Sequence, residues 1–147
     1  MPMIWIKVLH WACRLFLAWL WIYAGYTKIQ SPLQFAGAIE GYDLLPSAAV
    51  IWVADTLPWL EVLLGIVLLT GPKVRWSAMA SAGLLAFFIV ILTITYFRGI
   101  EANCGCFGVG ERISPLTLLR DSLFILPALF LIFQPRVEKR LAGRPAA

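Results

Sequence analysis

Residues 77–97 read SAMASAGLLAFFIVILTITYF, with Arg75 before the run and Arg98 after it. As an α-helix rising 1.5 Å per residue, this stretch is long enough to cross the ~30 Å hydrocarbon core of a bilayer. A helix apolar on every side has no stable place on a water-soluble surface, whereas in lipid its backbone is satisfied internally and its side chains face a matching solvent. Three further stretches share this character: Trp11 to Ile29, Val50 to Thr70 and Leu116 to Phe133. The fold class expected is therefore all-α, a polytopic membrane protein whose four-transmembrane-helix bundle forms a single domain over residues 1–147.

Composition points the same way. Of 147 residues, 61% are hydrophobic and only 14% charged, against roughly 25% charged in a soluble domain; the mean hydropathy is +0.85. The formal net charge of +4 does not signal nucleic acid, because the basic residues gather at the ends of apolar segments, where they set topology. Lys7 and Arg14 precede the first apolar run in the manner of a signal peptide. No small-residue cleavage site follows, so a retained first helix is expected. Gly71-Pro72 closes the second span, Ser114-Pro115 offers an N-cap and first-turn proline to the fourth, and the tail after Pro135 is expected to fray.

Lys7 and Arg14, then Lys73 and Arg75, then Arg136, Lys139, Arg140 and Arg144 all fall on one side of such a bundle. The positive-inside rule assigns that side, with both chain ends, to the cytoplasm. The segment from Lys28 to Pro46 and the loop from Arg98 to Ser114 are then external. In the first of these, SPLQFAGAIEGYDLLP is too short to cross. Its Leu33, Phe35, Ile39 and Tyr42 beside Glu40 and Asp43 suggest an amphipathic helix at the interface between helices one and two, with Tyr42 as an interfacial residue. Trp5, Trp11, Trp52, Trp59 and Trp76 lie near span ends as interfacial anchors.

The loop before the fourth span carries Cys104-Gly105-Cys106-Phe107-Gly108. A compartment outside the cytoplasm lets disulfides persist, and Gly105, Gly108 and Gly110 allow tight backbone turns. A bridge between residues two apart fits disulfide geometry poorly, and strained bridges belong to the labile, exchanging class. Cys104 and Cys106 are thus candidate catalytic residues of a redox-active dithiol. The alternatives are a staple for a docking loop, or half of a metal site completed by a partner; no metal is assigned, since a closed zinc site needs four ligands. Cys13 lies about 22 Å down the first helix from Lys28, too far for pairing, and is expected to be a small buried apolar residue. His10, on the inner side, is expected to be interfacial.

Glu61 lies inside the second span, where a carboxylate costs at least ~2.5 kcal/mol on insertion scales and must face the bundle with a partner. Arg120, roughly 8 Å below the same face, is the expected partner. Lys28, Asp55 and Asp121 complete a polar cluster beneath the cysteine loop. A cation there favours thiolate, and Glu61 is placed to relay protons or, alternatively, to fix helix register.

Gly25 and Lys28, Pro32 and Phe35, Tyr42 with Leu44-Leu45-Pro46, Leu57-Pro58-Trp59-Leu60-Glu61 with Gly65 and Gly71, the C-G-C-F-G loop, and Arg120-Asp121 in the last span together resemble the MauE/DoxX family of redox-associated membrane proteins. The likeness runs from Gly25 into the fourth helix, and the C-G-C-F-G loop followed by Arg-Asp favours the MauE branch, of methylamine utilisation type. The resemblance implies a bacterial inner-membrane protein working in periplasmic thiol-disulfide chemistry beside a thioredoxin-like partner; the MauE branch is tied to maturation of a disulfide-rich methylamine dehydrogenase subunit, and DoxX relatives to sulfur and thiol oxidation.

Three function classes follow. The first is a membrane thiol-disulfide redox protein, with Cys104 and Cys106 exchanging with a periplasmic thioredoxin-like protein or client and a membrane quinone as candidate electron carrier. The second is a non-catalytic subunit or assembly factor whose cysteines only staple a docking loop. The third is a small transporter using Glu61 and Arg120 as a polar substrate site.

Overall fold

The computed structural model describes residues 2–71, 73–106 and 111–142, with side chains from Met3 to Pro135 within those limits. Six helices follow in chain order: α1 (Pro2–Gln30), α2 (Pro32–Gly41), α3 (Ser47–Thr70), α4 (Val74–Phe97), α5 (Pro115–Leu123) and α6 (Ile125–Ala142). α1, α3, α4 and the α5–α6 pair supply four segments long and apolar enough to span a membrane. Between 17% and 28% of each apolar window is buried inside the protein, so most of the apolar surface faces outward, as a lipid-embedded bundle requires.

α1 and α3 form the tightest crossing. A Cβ on Gly25 would lie 2.5 Å from Val62 Cγ2 and 2.6 Å from the Pro58 carbonyl oxygen, and one on Gly65 would lie 2.5 Å from Ile22 Cγ1 and 2.8 Å from the Ala18 carbonyl oxygen. Two glycines on opposite helices, each receiving the other helix's backbone, allow close packing where no hydrophobic effect drives association. The central core gathers Leu17, Leu20, Trp21, Leu68, Leu85 and Leu131, and the indole of Trp21 donates to Ser81 Oγ at 2.9 Å.

Several boundaries differ from the sequence reading. The first span begins at Pro2 rather than near Trp11. The fourth is broken at Phe124, where the ring of Pro127 opposes the carbonyl four residues earlier, at Leu123, and contributes no N–H. Its second half runs through Pro135 to Ala142, where a frayed tail is expected from sequence; residues 143–147 lie outside the described part. α2 ends at Gly41, before a left-handed Asp43 (φ 50°), and Pro46 caps the start of α3 instead of closing α2.

The α5 start follows its sequence signal. Thr117 N–H donates to Ser114 Oγ at 3.2 Å, and the Ser114 N–H donates to Thr117 Oγ1 at 2.9 Å. This reciprocal cap satisfies two otherwise orphaned donors and fixes the helix that carries Arg120 and Asp121. At the opposite end of the bundle, Arg14 donates to the carbonyls of Leu68, Leu69 and Gly71. His10 Nδ1 meets Gln134 Oε1 there, and Cys13 packs, half-buried, against the core.

A buried dithiol at one end of the bundle

Residues 102–104 and 111–113 pair antiparallel. Cys104 N–H donates to the Glu111 carbonyl at 2.6 Å and Ile113 N–H to the Ala102 carbonyl at 3.1 Å, around a bridge between Asn103 and Arg112. Gly105 stands between the two cysteines at φ +68°, a left-handed conformation costly for any residue with a Cβ. A Cβ there would also sit 3.2 Å from both Ala38 Cβ and Tyr42 Oη. Phe107 and Gly108, singled out in the sequence, lie outside the described residues.

α2 is the platform on which this loop rests. Phe35, Ala38 and Ile39 turn inward, and Tyr42, expected at the interface, is instead buried, its hydroxyl donating to the Cys104 carbonyl. The apolar side of this amphipathic segment meets the cysteine loop and α3. Arg98 ties the end of α2 down by donating to the carbonyls of Tyr42 and Asp43 at 3.1 and 3.2 Å.

The result is a closed thiol pair. Cys104 and Cys106 are 2% and 8% exposed, both are free thiols, and their sulfurs are in hydrogen-bond contact at 2.9 Å. Asp121 reaches up from α5, its Oδ2 lying 3.5 Å from Cys106 Sγ and 4.0 Å from Cys104 Sγ. Arg120 donates through Nε to Asp121 Oδ1 at 3.1 Å, and through Nη1 to both Glu111 carboxylate oxygens at 2.9 and 2.8 Å.

The two thiols are not equivalent. The hydrogen bond from Cys106 draws the Cys104 thiol below its ordinary range, with help from the Arg120 charge and against burial and Asp121. Cys106 is pushed well above its ordinary range by that same hydrogen bond, by burial and by the neighbouring negative charges. Cys104 is thus the thiol of the pair that ionises more readily, and once ionised it accepts from Cys106. The sulfurs and an Asp121 oxygen lie within 4.8 Å of one another, which gives a thiophilic cation three ligands, one short of a closed zinc set.

The charge pairing differs from that expected. Glu61 pairs with Lys28, Nζ to Oε1 at 2.5 Å, and not with Arg120. The close approach of α1 and α3 through Gly25 and Gly65 brings Lys28 across from Glu61, whereas Arg120 is drawn upward by Glu111. Asp55 is exposed on the outer side of α3 and does not join the cluster. Lys28 Nζ also lies 5.1 and 5.3 Å from the ring centres of Phe35 and Phe88. It borders a cavity of about 300 Å³ lined also by Ser31, Gln34, Asn103 and Gly105. Structure thus brings Cys104, Cys106, Asp121 and Arg120 together, with Lys28 and Glu61 as a second pair. Glu111 and Tyr42 join as partners that linear spacing does not reveal: Glu111 reaches Arg120 from the returning arm of the cysteine loop, and Tyr42 reaches Cys104 from the end of α2, 62 residues away.

Comparison with known proteins extends these observations. The family described as methylamine utilisation protein MauE matches residues 6–134. Two relatives named methylamine utilization protein MauE are similar over most of the chain. The one from Paracoccus denitrificans is 36% identical over 124 residues, 82% of this chain and 66% of the relative. The one from Paracoccus versutus is 33% identical over 125 residues, 83% of this chain and 67% of the relative. The chain thus spans about two thirds of the length of these relatives. No solved structure matches.

Proposed function

The chain belongs to the MauE family, and from that membership and the paired thiols we propose that it is the membrane component of a thiol-disulfide system serving methylamine utilisation. In this reading it lies in a bacterial inner membrane with both chain ends cytoplasmic and the cysteine loop periplasmic. Cys104 and Cys106 exchange with a thioredoxin-like protein that oxidises or matures a periplasmic client. The observation that carries the proposal is the 2.9 Å approach of two free thiols beside a buried carboxylate, since a thiolate, a resolving thiol and a proton acceptor are the three parts that exchange requires.

The exchange balances as follows. The Cys104 thiolate attacks one sulfur of the partner's disulfide, forming a mixed disulfide and releasing the partner's other sulfur as a thiolate. Cys106 passes its proton to Asp121 and attacks Cys104, forming the Cys104–Cys106 bond and releasing the partner's second thiolate. In this direction the chain loses two electrons and the partner gains two; oxidation of a client is served by the reverse sequence through the same groups, in which the partner's dithiol is oxidised and the Cys104–Cys106 bond is reduced. Both sulfurs are buried, so exchange with a protein partner requires the packing of Cys104 against Tyr42 to open. The Glu61 carboxylate is a candidate proton relay in the same system.

Thiol trapping across a graded glutathione or dithiothreitol series, on membrane-embedded protein, tests the proposal. A reversible two-electron titration well above the ~−300 mV below which structural bridges lie is expected. A bridge resistant to reduction at that potential would transfer the family role to a non-catalytic assembly factor with a stapled loop.

A further inference from the structure

Below the cysteine loop, α3 and α4 part to leave a long apolar furrow. Its upper end is a cavity of about 270 Å³ enclosed by Phe35, Tyr42, Leu57, Phe88, Ile91 and Cys104. Its lower part is an open groove of about 610 Å³ between the same helices, bordered by Leu60, Leu63, Val67, Trp76 and Gly83. Phe87 lines both, so the two meet at that side chain, and the groove from Trp76 to Phe87 covers about 16 Å of helix length. Leu60, Leu63, Trp76 and Phe87 are exposed on a segment suited to lipid, which opens the furrow sideways to the bilayer.

The shape is that of a site for a ring with a tail. An enclosed chamber walled by aromatic side chains takes a flat head, and the open groove takes a hydrocarbon chain that stays in lipid. The chamber is also bordered by Cys104, a residue that carries one of the two paired sulfurs and is otherwise sealed. A phospholipid acyl chain or a second transmembrane helix would fill the lower groove but would bring nothing to that sulfur.

We propose that this furrow binds a lipid-soluble, isoprenoid-tailed quinone with its head against Cys104, and that the quinone is the two-electron acceptor of the dithiol. As the Cys104–Cys106 bond forms, the two thiols give up two electrons and two protons, and the quinone takes up both to become a quinol. The inference rests on the exchange reading above, and adds to it the class of oxidant and the place where it sits.

The test uses the full chain in lipid nanodiscs, with the dithiol reduced and excess reductant removed. Decyl-ubiquinone is added as the probe, and quinol formation is followed with thiol loss; oxidised glutathione is added in parallel as a water-soluble disulfide. One quinol per disulfide formed is expected. Leu57→Trp, which fills the chamber from α3, should slow quinol formation by about a hundredfold, since small displacements of a reacting centre cost that much, while exchange with glutathione continues. If that variant fails to fold, photolabelling of the unaltered chain with an azidoquinone replaces it, with label on α3 or α4 at the chamber expected. Glutathione exchange without quinol formation, label elsewhere, or phospholipid that the probe does not displace would overturn the quinone site and leave the exchange reading standing. Failure of both reactions would overturn both.

Discussion

The ammonium of Lys28 lies 2.5 Å from Glu61 Oε1, with both side chains sealed from solvent. The pair joins α1 to α3 one turn from Gly25, where the two backbones come closest. Glu61 Oε2 accepts no hydrogen bond among the described groups, so one lone-pair face of the carboxylate is left for a proton or a water. The pair is therefore both a lock on helix register and a candidate proton site, and mutation separates these roles.

Removing one partner leaves an uncompensated charge in an apolar interior, which costs about 3–5 kcal/mol, whereas replacing both with apolar side chains of similar volume is close to neutral. Lys28→Met is expected to destabilise the bundle by that amount and Lys28→Met with Glu61→Met to recover most of it. Reversible unfolding in mixed micelles, run as a double-mutant cycle, measures both. Glu61→Gln adds the second readout: intact thiol exchange with lowered folded yield would remove the relay and leave the register lock.

Gly25→Ala and Gly65→Ala place a methyl group within 2.5 Å of a branched side chain and against facing backbone. Overpacking of this kind costs about 1–3 kcal/mol. Gly83 lies in mid-α4 with nothing within 4 Å of a built Cβ, so Gly83→Ala should be neutral or stabilising by about 0.5–1 kcal/mol through helix propensity. Unfolding of the three variants under one set of conditions distinguishes a required helix crossing from a general intolerance of alanine.

How much of this was legible in the sequence depends on the range of the interaction. The four spans, the α5 cap and the cysteine loop are written in local runs, since apolar length, Ser-Pro and Cys-Gly-Cys are properties of neighbouring residues. The partner of Glu61 is not legible in the sequence because depth along a helix can be counted but azimuth cannot, and only the α1–α3 crossing turns Lys28 toward it. The burial of Tyr42 is hidden in the sequence for a related reason. An amphipathic ten-residue helix shows one apolar side, and its sequence does not say whether lipid or a returning loop will cover it. The break at Phe124 was readable from Pro127, through the carbonyl four residues before it.

The hydrogen bond between the cysteines makes Cys104 the more acidic thiol and Cys106 the proton holder. Thiolate absorbance against pH should therefore show a first step below the ordinary thiol range. Cys106→Ala removes the donor, so the Cys104 step is expected to move to higher pH. An unmoved step would mean that the backbone N–H of residue 106, which the variant keeps, and the Arg120 charge set the acidity.

Asp121 carries the last prediction, because its two effects have opposite signs. Its negative charge opposes thiolate on both cysteines, so Asp121→Asn should move the Cys104 ionisation to lower pH and speed the first attack on a disulfide at neutral pH. Its Oδ2, 3.5 Å from Cys106 Sγ, is also the nearest described proton acceptor for the resolving thiol. Losing a positioned general base slows a proton transfer by about 10²–10⁴-fold, so the second attack should become limiting. The expected outcome is a mixed disulfide on Cys104 that forms faster and persists longer than in the unaltered chain, visible by mass after reaction with glutathione disulfide and acid quenching. A residue that merely held α5 in place through Arg120 would slow both steps together, and the mixed disulfide would not accumulate.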